Sequence, residues 1–489
     1  MTMIETRQLG TTAARTESAG PSAARNFLAV ALASVALCLL PLRSVAAPVA
    51  VAATPAVRRP LIVNGQVTSS FPATGALLLY TGPTTAATLY GACSGTLIGC
   101  RTFLTAAHCV CPDDTRDAAG CEAEGKTDPA TLQVFLQQGG LFHVARTAIN
   151  PDYRFATHGD VAVVTLAEPV TGIAPSAINT TRSPDIGTAG TIVGFGTTAS
   201  GRGSTDDSGI KREGTVTTAQ CPADLPNDTH VCWEFRGTGA NGCEGDSGGP
   251  LLVDFGAGPV IAGVTSGGYS FNCLPPDTGF DADVFANRSW IASAAAGDMG
   301  TESCDLPAAG TALTTTFSAS GELSASAPTA ELQFDVAEGN AVLRVALNAQ
   351  FGSGTGFTSE SNDFDLFLRA DGAPTAESFD CADTNPSPVG FCQITAPRPG
   401  TWHVLVRLNR GAGAFQVTAT TFAGAATAFC TGDCNHDGTV TVDEVLTGIR
   451  SALGEADVAV CPALDANGDG VVTVDEVIAA ITDALDGCP

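Results

Sequence analysis

Positive charge is what this chain has least of. Its 489 residues carry 23 Lys and Arg against 50 Asp and Glu, a net charge of −27. A polyanionic partner would be repelled, which argues against nucleic acid. The acid excess serves solubility and, where carboxylates cluster, affinity for divalent cations. Charged residues of either sign make up only 15%, and lysine is especially rare. Long solvated helices are therefore disfavoured, and the abundant Gly, Ala, Val and Thr point to short strands and turns. Long apolar runs are also missing. The exception is Phe27 to Leu42, 16 residues behind a leader carrying Arg7, Arg15 and Arg25 and ahead of Ser44-Val45-Ala46-Ala47. That layout is a secretory signal peptide over 1–47. The run is short of the about 20 residues that span a bilayer, and a retained anchor is the alternative reading. No later segment is long enough to cross a membrane, so a secreted protein with no membrane span after signal removal is expected.

Cysteine is not scarce. One of the 17, Cys38, lies in the signal, and the remaining 16 are an even number, as expected for disulfides formed outside the cytoplasm. A chain of this length implies two to four domains. Residues 48–61 have no helical or strand period and read as a propeptide or linker. From 62 to 296 short apolar runs such as Ala76–Tyr80, Val134–Leu136, Thr191–Gly196 and Pro250–Val253 alternate with turn residues, the pattern of a barrel or sandwich. Asn287 to Ala295 is expected to be a helix burying Trp290 and Ile291. A linker over 297–310 leads to a second β-rich stretch, 311–425, with alternation in Phe364–Leu368 and Thr401–Leu408, which reads as a small β-sandwich. The tail, 430–489, repeats at a spacing of 32: Asp433-Cys434-Asn435-His436-Asp437-Gly438 recurs as Asp465-Ala466-Asn467-Gly468-Asp469-Gly470. Each copy continues into Val-Thr-Val-Asp-Glu-Val and an amphipathic helix.

Chemistry concentrates in three places. Residues 242–250 read Gly-Cys-Glu-Gly-Asp-Ser-Gly-Gly-Pro, a glycine-rich turn that exposes Ser247 among free backbone N–H groups. Thr105-Ala106-Ala107-His108-Cys109 sets a histidine beside a half-cystine. Asp160 stands at the polar entry to the apolar run Val161–Leu166. Serine is a poor nucleophile at neutral pH and needs a base, and the base needs an orienting carboxylate. The three residues supply that set in the order His108, Asp160, Ser247. His143, His158 and His230 carry no motif.

Taken with Ile62-Val63-Asn64-Gly65 and Val264-Thr265-Ser266-Gly267-Gly268, these motifs make residues 62–296 resemble the chymotrypsin/trypsin family of serine endopeptidases. The resemblance implies two six-stranded barrels with the site in the crevice between them. It implies Ser247 as nucleophile, His108 as general base then acid, Asp160 as the group orienting the imidazole, and the N–H groups of Gly245 and Ser247 as the oxyanion hole. Ser266 matches the serine that hydrogen-bonds the buried aspartate. Bridges Cys93–Cys109, Cys221–Cys232 and Cys243–Cys273 are likewise implied. Cys111–Cys121 with Cys100–Cys304 is one pairing of the remaining four, which the sequence leaves open.

The resemblance also locates a pocket for the residue before the cut. Its floor position holds Asn241 instead of an acid, while Gly268 and Gly279 match the glycines that leave its walls open. A neutral, roomy pocket favours a medium or large uncharged side chain, since a buried ammonium would lack compensation; Asp281 nearby is the alternative source of charge. In this family a new N-terminus pairs with the aspartate before the serine, here Ile62 with Asp246. Pro60 after Arg58-Arg59 departs from a trypsin-cleaved precursor, so the cut is expected after Leu61.

The 311–425 stretch resembles the bacterial pre-peptidase C-terminal domain through Asp363-Phe364-Asp365-Leu366, Cys381 with Cys392, and Pro399-Gly400-Thr401-Trp402. The tail loops have the oxygen spacing of a calcium site: Asp433, Asn435, Asp437 and Glu444, then Asp465, Asn467, Asp469 and Glu476, with Thr439 and Val471 offering carbonyls. They resemble dockerin-type or EF-hand modules, which implies structural Ca²⁺ and a cohesin-like or surface partner. Cys430, Cys434, Cys461 and Cys488 are expected to staple this small domain.

The sequence thus describes a mainly β secreted serine endopeptidase acting on protein or peptide, with a β-sandwich and a small α-helical calcium-loop tail. A catalytically silent protease-like binding protein, or an extracellular docking or adhesion protein, is the alternative. N-terminal sequencing of the active secreted form is predicted to begin at Ile62; an active form beginning near Ala47 would contradict the expected maturation.

Overall fold

The computed structural model describes residues 62–81, 89–111, 116–198, 207–270, 272–300, 302, 304, 313–352, 361–423, 430–434, 439–466 and 471–486. The signal and propeptide readings lie outside these residues, as do Asn435, Asp437, Asn467, Asp469 and Cys488.

The chain is mainly β. After a short β1 (Gln66–Val67), strands β2 (Thr74–Tyr80), β3 (Leu89–Leu97), β4 (Thr102–Thr105), β5 (Leu132–Leu136), β6 (Gly140–Ile149) and β7 (Ala162–Leu166) close an antiparallel barrel in the order β2-β3-β4-β7-β6-β5. Strands β8 (Ala189–Gly194), β9 (Arg212–Ala219), β10 (His230–Phe235), β11 (Pro250–Asp254), β12 (Pro259–Gly268) and β13 (Asp277–Asp283) form a second, closed by pairing of β8 with both β9 and β11, with β1 added along β9. These are the two six-stranded barrels expected. Helix α1 (Ala118–Glu124) follows the histidine loop, and α2 (Val284–Ala294) ends this half of the chain. Helix α2 starts three residues earlier than the sequence suggested, because Asp283 Oδ1 accepts the N–H groups of Phe285 and Ala286. Ile291 is buried, whereas Trp290 is only half-buried.

The β-sandwich packs β14 (Leu313–Leu323), β16 (Asn340–Ala349), β19 (Val389–Thr395) and β21 (Gly413–Ala423) in one sheet, ordered β14-β21-β16-β19. Its other sheet is β15 (Thr329–Val336), β17 (Asp363–Ala370), β18 (Cys381–Asp383) and β20 (Gly400–Arg410), ordered β15-β20-β17-β18. Cys381–Cys392 ties β18 to β19 across the two sheets.

The sandwich is fused to the first barrel. Strand β2 shows why its sequence is apolar on both faces: Leu77 points into the barrel core, while Ala76, Leu78 and Tyr80 meet Ala346, Phe351, Val389 and Phe391 of the sandwich in one apolar cluster. Strand β16 mirrors it, with Leu343, Val345 and Leu347 in the sandwich core and Arg344, Ala346 and Asn348 buried on the other face. Burial desolvates the Arg344 guanidinium, lowering its pKa to about 10. It is satisfied by Thr171 O (2.8 Å), Thr171 Oγ1 (2.8 Å) and Gln393 Oε1 (2.8 Å). Gln137, Asn348 and Gln416, all fully or almost fully buried, form an amide network between the two halves.

In the tail, α3 (Val442–Ala452) and α4 (Val474–Asp486) pack together, and Cys434–Cys461 is one staple. Cys430 is also disulfide-bonded. Among the described residues no helix is long and apolar enough to cross a membrane.

Candidate active site

The crevice between the barrels gathers the three predicted residues. His108 lies in a 3-10 turn (Ala107–Cys109) straight after β4, and Cys93–Cys109 ties that turn to β3. Asp160 precedes β7, the neighbour of β4, so one barrel ladder carries both. The carboxylate is almost wholly buried and is met by three donors: His108 N–H to Oδ1 (3.0 Å), His108 Nδ1 to Oδ2 (2.8 Å) and Ser266 Oγ–H to Oδ2 (2.6 Å). Burial alone would raise the Asp160 pKa, yet the imidazole and these donors bring it below its ordinary 3.8. Burial likewise pulls His108 down, and the Asp160 charge outweighs it, leaving the imidazole above its ordinary 6.5. The Phe155 ring stands edge-on to His108 at 5.4 Å and limits its swing.

The nucleophile turn belongs to the second barrel but is held by the first. Gly245 and Gly248 have φ of +92° and +82°, and a Cβ on Gly248 would lie 2.1 Å from Thr105 Oγ1. Ser94 Oγ donates to Gly245 O (2.8 Å) and Ser94 N–H to Ser247 O (2.7 Å). Among the described residues neither Gly245 N–H nor Ser247 N–H has a protein acceptor, the condition an oxyanion hole requires. No hydrogen bond joins Ser247 Oγ to His108, whose Nδ1 is taken by Asp160; a nucleophile–base contact of this kind often tightens only in the complex with substrate.

Asp246, next to the nucleophile, is buried, and burial pushes its pKa up to about 6 against the opposing pull of its backbone donors and Arg212. Its Oδ1 accepts Gly196 N–H (2.9 Å) and its Oδ2 Cys243 N–H (2.9 Å). Ile62 is fully buried beside Ala240 and Val216, and Val63 pairs with Asn241. Arg212, buried and unremarked in the sequence, stands close enough to act on Asp246 electrostatically.

The pocket differs from expectation. Asn241 is fully buried and its amide is engaged: Trp233 Nε1–H donates to its Oδ1 (3.0 Å), and its Nδ2 donates to Cys273 O (3.2 Å) and Asp277 Oδ2 (2.7 Å). At Gly279 a Cβ would meet the Trp233 indole at 2.3 Å. Beside Gly268 lies the Asp277 carboxylate, 3.0 Å from the position of a Cβ. The neutral floor is therefore backed by an acid, and that acid is not Asp281. Asp281 is wholly buried against Gly263, with burial holding its carboxyl well above the usual range. Sequence reading missed Asp277 because it reaches Asn241 from β13, across 36 residues.

Five disulfides frame this half: Cys93–Cys109, Cys221–Cys232 and Cys243–Cys273, with Cys111–Cys121 and Cys100–Cys304 settling the open set. In the tail, Asp433, Glu444 and Glu476 are buried acids. Glu444 accepts from Cys434 N–H (2.9 Å) and Thr441 N–H (2.7 Å), and Glu476 from Thr473 N–H (2.8 Å).

Residues 62–291 match the model of the trypsin family, and residues 332–408 that of the bacterial pre-peptidase C-terminal domain. A trypsin of Phaedon cochleariae is 31% identical over 221 residues, covering 42% of this chain and 78% of that protein. The chain belongs to the trypsin family. A trypsin of Saccharopolyspora erythraea (30% over 184 residues; 36% and 75%) and the vitellin-degrading protease of Bombyx mori (29% over 216; 41% and 74%) are further relatives. The protein is accordingly a serine endopeptidase, a hydrolase with a protein substrate.

Because the base must be neutral to accept a proton, the acid limb of kcat/KM is predicted to have its midpoint above 6.5. Asp160→Asn removes the charge that holds the imidazole up, so burial should carry that midpoint below 6.5. The rate should fall about 10⁴-fold, the cost of the same change in the reference member of this family. A limb that stays in place in the variant would contradict the assignment.

Proposed function

We propose that Ser247 attacks the scissile carbonyl while His108 takes its proton, and that the anionic oxygen is received by the N–H groups of Gly245 and Ser247. The supporting observation is His108 held by Asp160 in the same crevice as a serine turn where, among the described residues, the Gly245 and Ser247 N–H groups have no protein acceptor. His108 then returns the proton to the leaving amine, giving an acyl-enzyme. Water activated by the same imidazole releases the acid product. Asp160 keeps the proton on Nδ1 and stabilises the imidazolium.

The side chain before the cut is read by Asp277. Its carboxylate, flanking Gly268 and hydrogen-bonded to Asn241, gives a Lys or Arg side chain the compensating charge that Asn241 lacks. The Trp233 indole filling the space beside Gly279 favours a second reading, a short uncharged side chain. A fluorophosphonate probe should label the wild-type chain and not Ser247→Ala. A peptide library should show cleavage after Lys or Arg, reduced about 10-fold or more in Asp277→Asn, since a charged partner is then lost. Labelling retained in Ser247→Ala would contradict the triad, and cleavage after uncharged residues that Asp277→Asn leaves untouched would establish the second reading.

Export follows from the signal-like leader and from disulfides that persist in oxidising surroundings. The tail is a calcium module. Its all-oxygen set, with Asp433 and Asp465 at the first loop positions and Glu444 and Glu476 held at helix N-termini, fits a hard cation. Two matching stripes, Val442, Leu446, Ile449 and Leu453 on and just beyond α3 and Val474, Ile478, Ile481 and Leu485 on α4, lie exposed at the same register of the repeat. They suit a protein or cell-surface partner. Returning Ca²⁺ to the metal-stripped full chain should raise its lowest thermal transition and restore association with the producing cells. That association should be absent in the Leu446→Lys, Ile478→Lys double variant. An unmoved transition would contradict the calcium reading, and association unchanged in the double variant would contradict the docking reading.

A further inference from the structure

The sandwich grips a segment of the peptidase, residues 208–211, that is linked by hydrogen bonds to the supports of the nucleophile turn. On leaving β16, Phe351 N–H donates to Ser208 O (2.9 Å), and its ring lies against Gly209. Gly209 has φ of +103°, and a Cβ there would meet Ala349 O at 2.2 Å. Asn348 Nδ2 donates to Gly209 O (2.8 Å). Asn348 is itself fixed by Gln137 Nε2, which donates to its Oδ1 (3.0 Å), and the neighbouring Gln416 donates through Nε2 to Thr68 O (2.9 Å). Thr68 N–H in turn donates to Lys211 O (3.1 Å). Residues 208–211 are thus held by the sandwich at two carbonyls directly and at a third through Thr68.

Two short relays run from this segment to the catalytic turn. In the first, Gly209 N–H donates to Phe195 O (2.7 Å). Phe195 N–H donates to Ser94 Oγ (2.9 Å), and Ser94 Oγ–H donates to Gly245 O (2.8 Å). In the second, the Arg212 guanidinium donates to Gly196 O and Ile210 O (2.9 Å each) and to Asp207 O (3.1 Å). Gly196 N–H then donates to Asp246 Oδ1 (2.9 Å). One peptide unit on either side of the chain at 195–196 therefore connects the clamped segment to both residues that flank the oxyanion hole. Every member of these relays except Gly245 and Asp207 is at least nine-tenths buried, so water cannot readily replace a lost partner.

We propose that the β-sandwich is an intramolecular positioning element of the peptidase, in which Asn348 and Phe351 clamp Ser208 and Gly209 and, through the relays that start there and at Arg212, hold Gly245, Asp246 and Ser247 in the geometry that receives the oxyanion. The sandwich contributes no atom to the reaction. Its effect falls on the transition state, which uses the Gly245 and Ser247 N–H groups, and spares substrate binding in the pocket, which rests on Asn241, Gly268 and Asp277. This inference rests on the serine-peptidase reading above.

The experiment compares full-length variants on one interface. Asn348→Leu and Phe351→Ala touch the 208–212 segment. Arg344→Met cuts the same interface at Thr171, away from it. Rates are normalised to titrated active sites, and folding is followed by thermal unfolding. Asn348→Leu and Phe351→Ala should each lower kcat roughly 10-fold or more, short of the 10²–10³ lost with a whole oxyanion donor. KM should change by less than about twofold, and affinity for a peptide boronate, whose oxygen occupies the oxyanion hole, should fall in step with kcat. Arg344→Met should lower the unfolding temperature and leave kcat and boronate affinity unchanged. Equal losses in all three variants would reduce the sandwich to a stabilising partner and overturn the proposal. So would wild-type kcat and boronate affinity in folded Asn348→Leu, the smaller change and the one to rely on should Phe351→Ala not fold. A wild-type chain that neither turns over nor binds boronate would overturn this inference together with the peptidase reading itself.

Discussion

The structure turns on a buried negative charge. Asp160 is almost wholly buried, and a carboxylate in that position is costly unless donors surround it. It has three: the imidazole and main-chain N–H of His108, and the Ser266 hydroxyl from the other barrel. The charge therefore does two things at once. It fixes the tautomer and direction of the base, and it ties the two barrels together at the point where the substrate must lie. The disulfide beside His108 and the edge of Phe155 reinforce an orientation already set by electrostatics.

The other half of the site is a backbone construction. Gly245 and Gly248 allow a turn that an L side chain would strain, and Ser94 from the first barrel closes hydrogen bonds on both sides of it. Asp246 anchors the same turn from below through Gly196 and Cys243. The 195–196 stretch is thus a shared support. What lies behind it is the C-terminal sandwich, packed through an apolar cluster and a buried amide network and not hung on a linker.

Local motif and tertiary context divide what the sequence could reveal. The grouping of His108, Asp160 and Ser247 was legible because such chemistry demands particular residue types in glycine-rich or cysteine-flanked settings; the short strands pointed only to a barrel or sandwich, and the two barrels were implied by the family resemblance. Asp277 and Arg212 were not legible. Each acts through a partner distant in sequence, Asn241 and Gly196, and neither sits in a motif. The apolar outer face of β2 was visible as a continuous run, but period-two reading alone could not say that a second domain covers it. Helix α2 began early because an Asp283 cap outranked the periodicity used to place it. The tail repeat was legible through its spacing of 32 residues, and Glu444 and Glu476, at equivalent places in it, are both buried.

A crystal structure of the full chain with a peptide boronate bonded to Ser247 tests the central claim most directly. One boronate oxygen should lie about 2.7–3.1 Å from both Gly245 N and Ser247 N, with His108 Nε2 turned toward the adduct and Nδ1 still on Asp160. An adduct oxygen pointing into solvent, or an imidazole turned away while Asp160 keeps its other donors, would contradict the account.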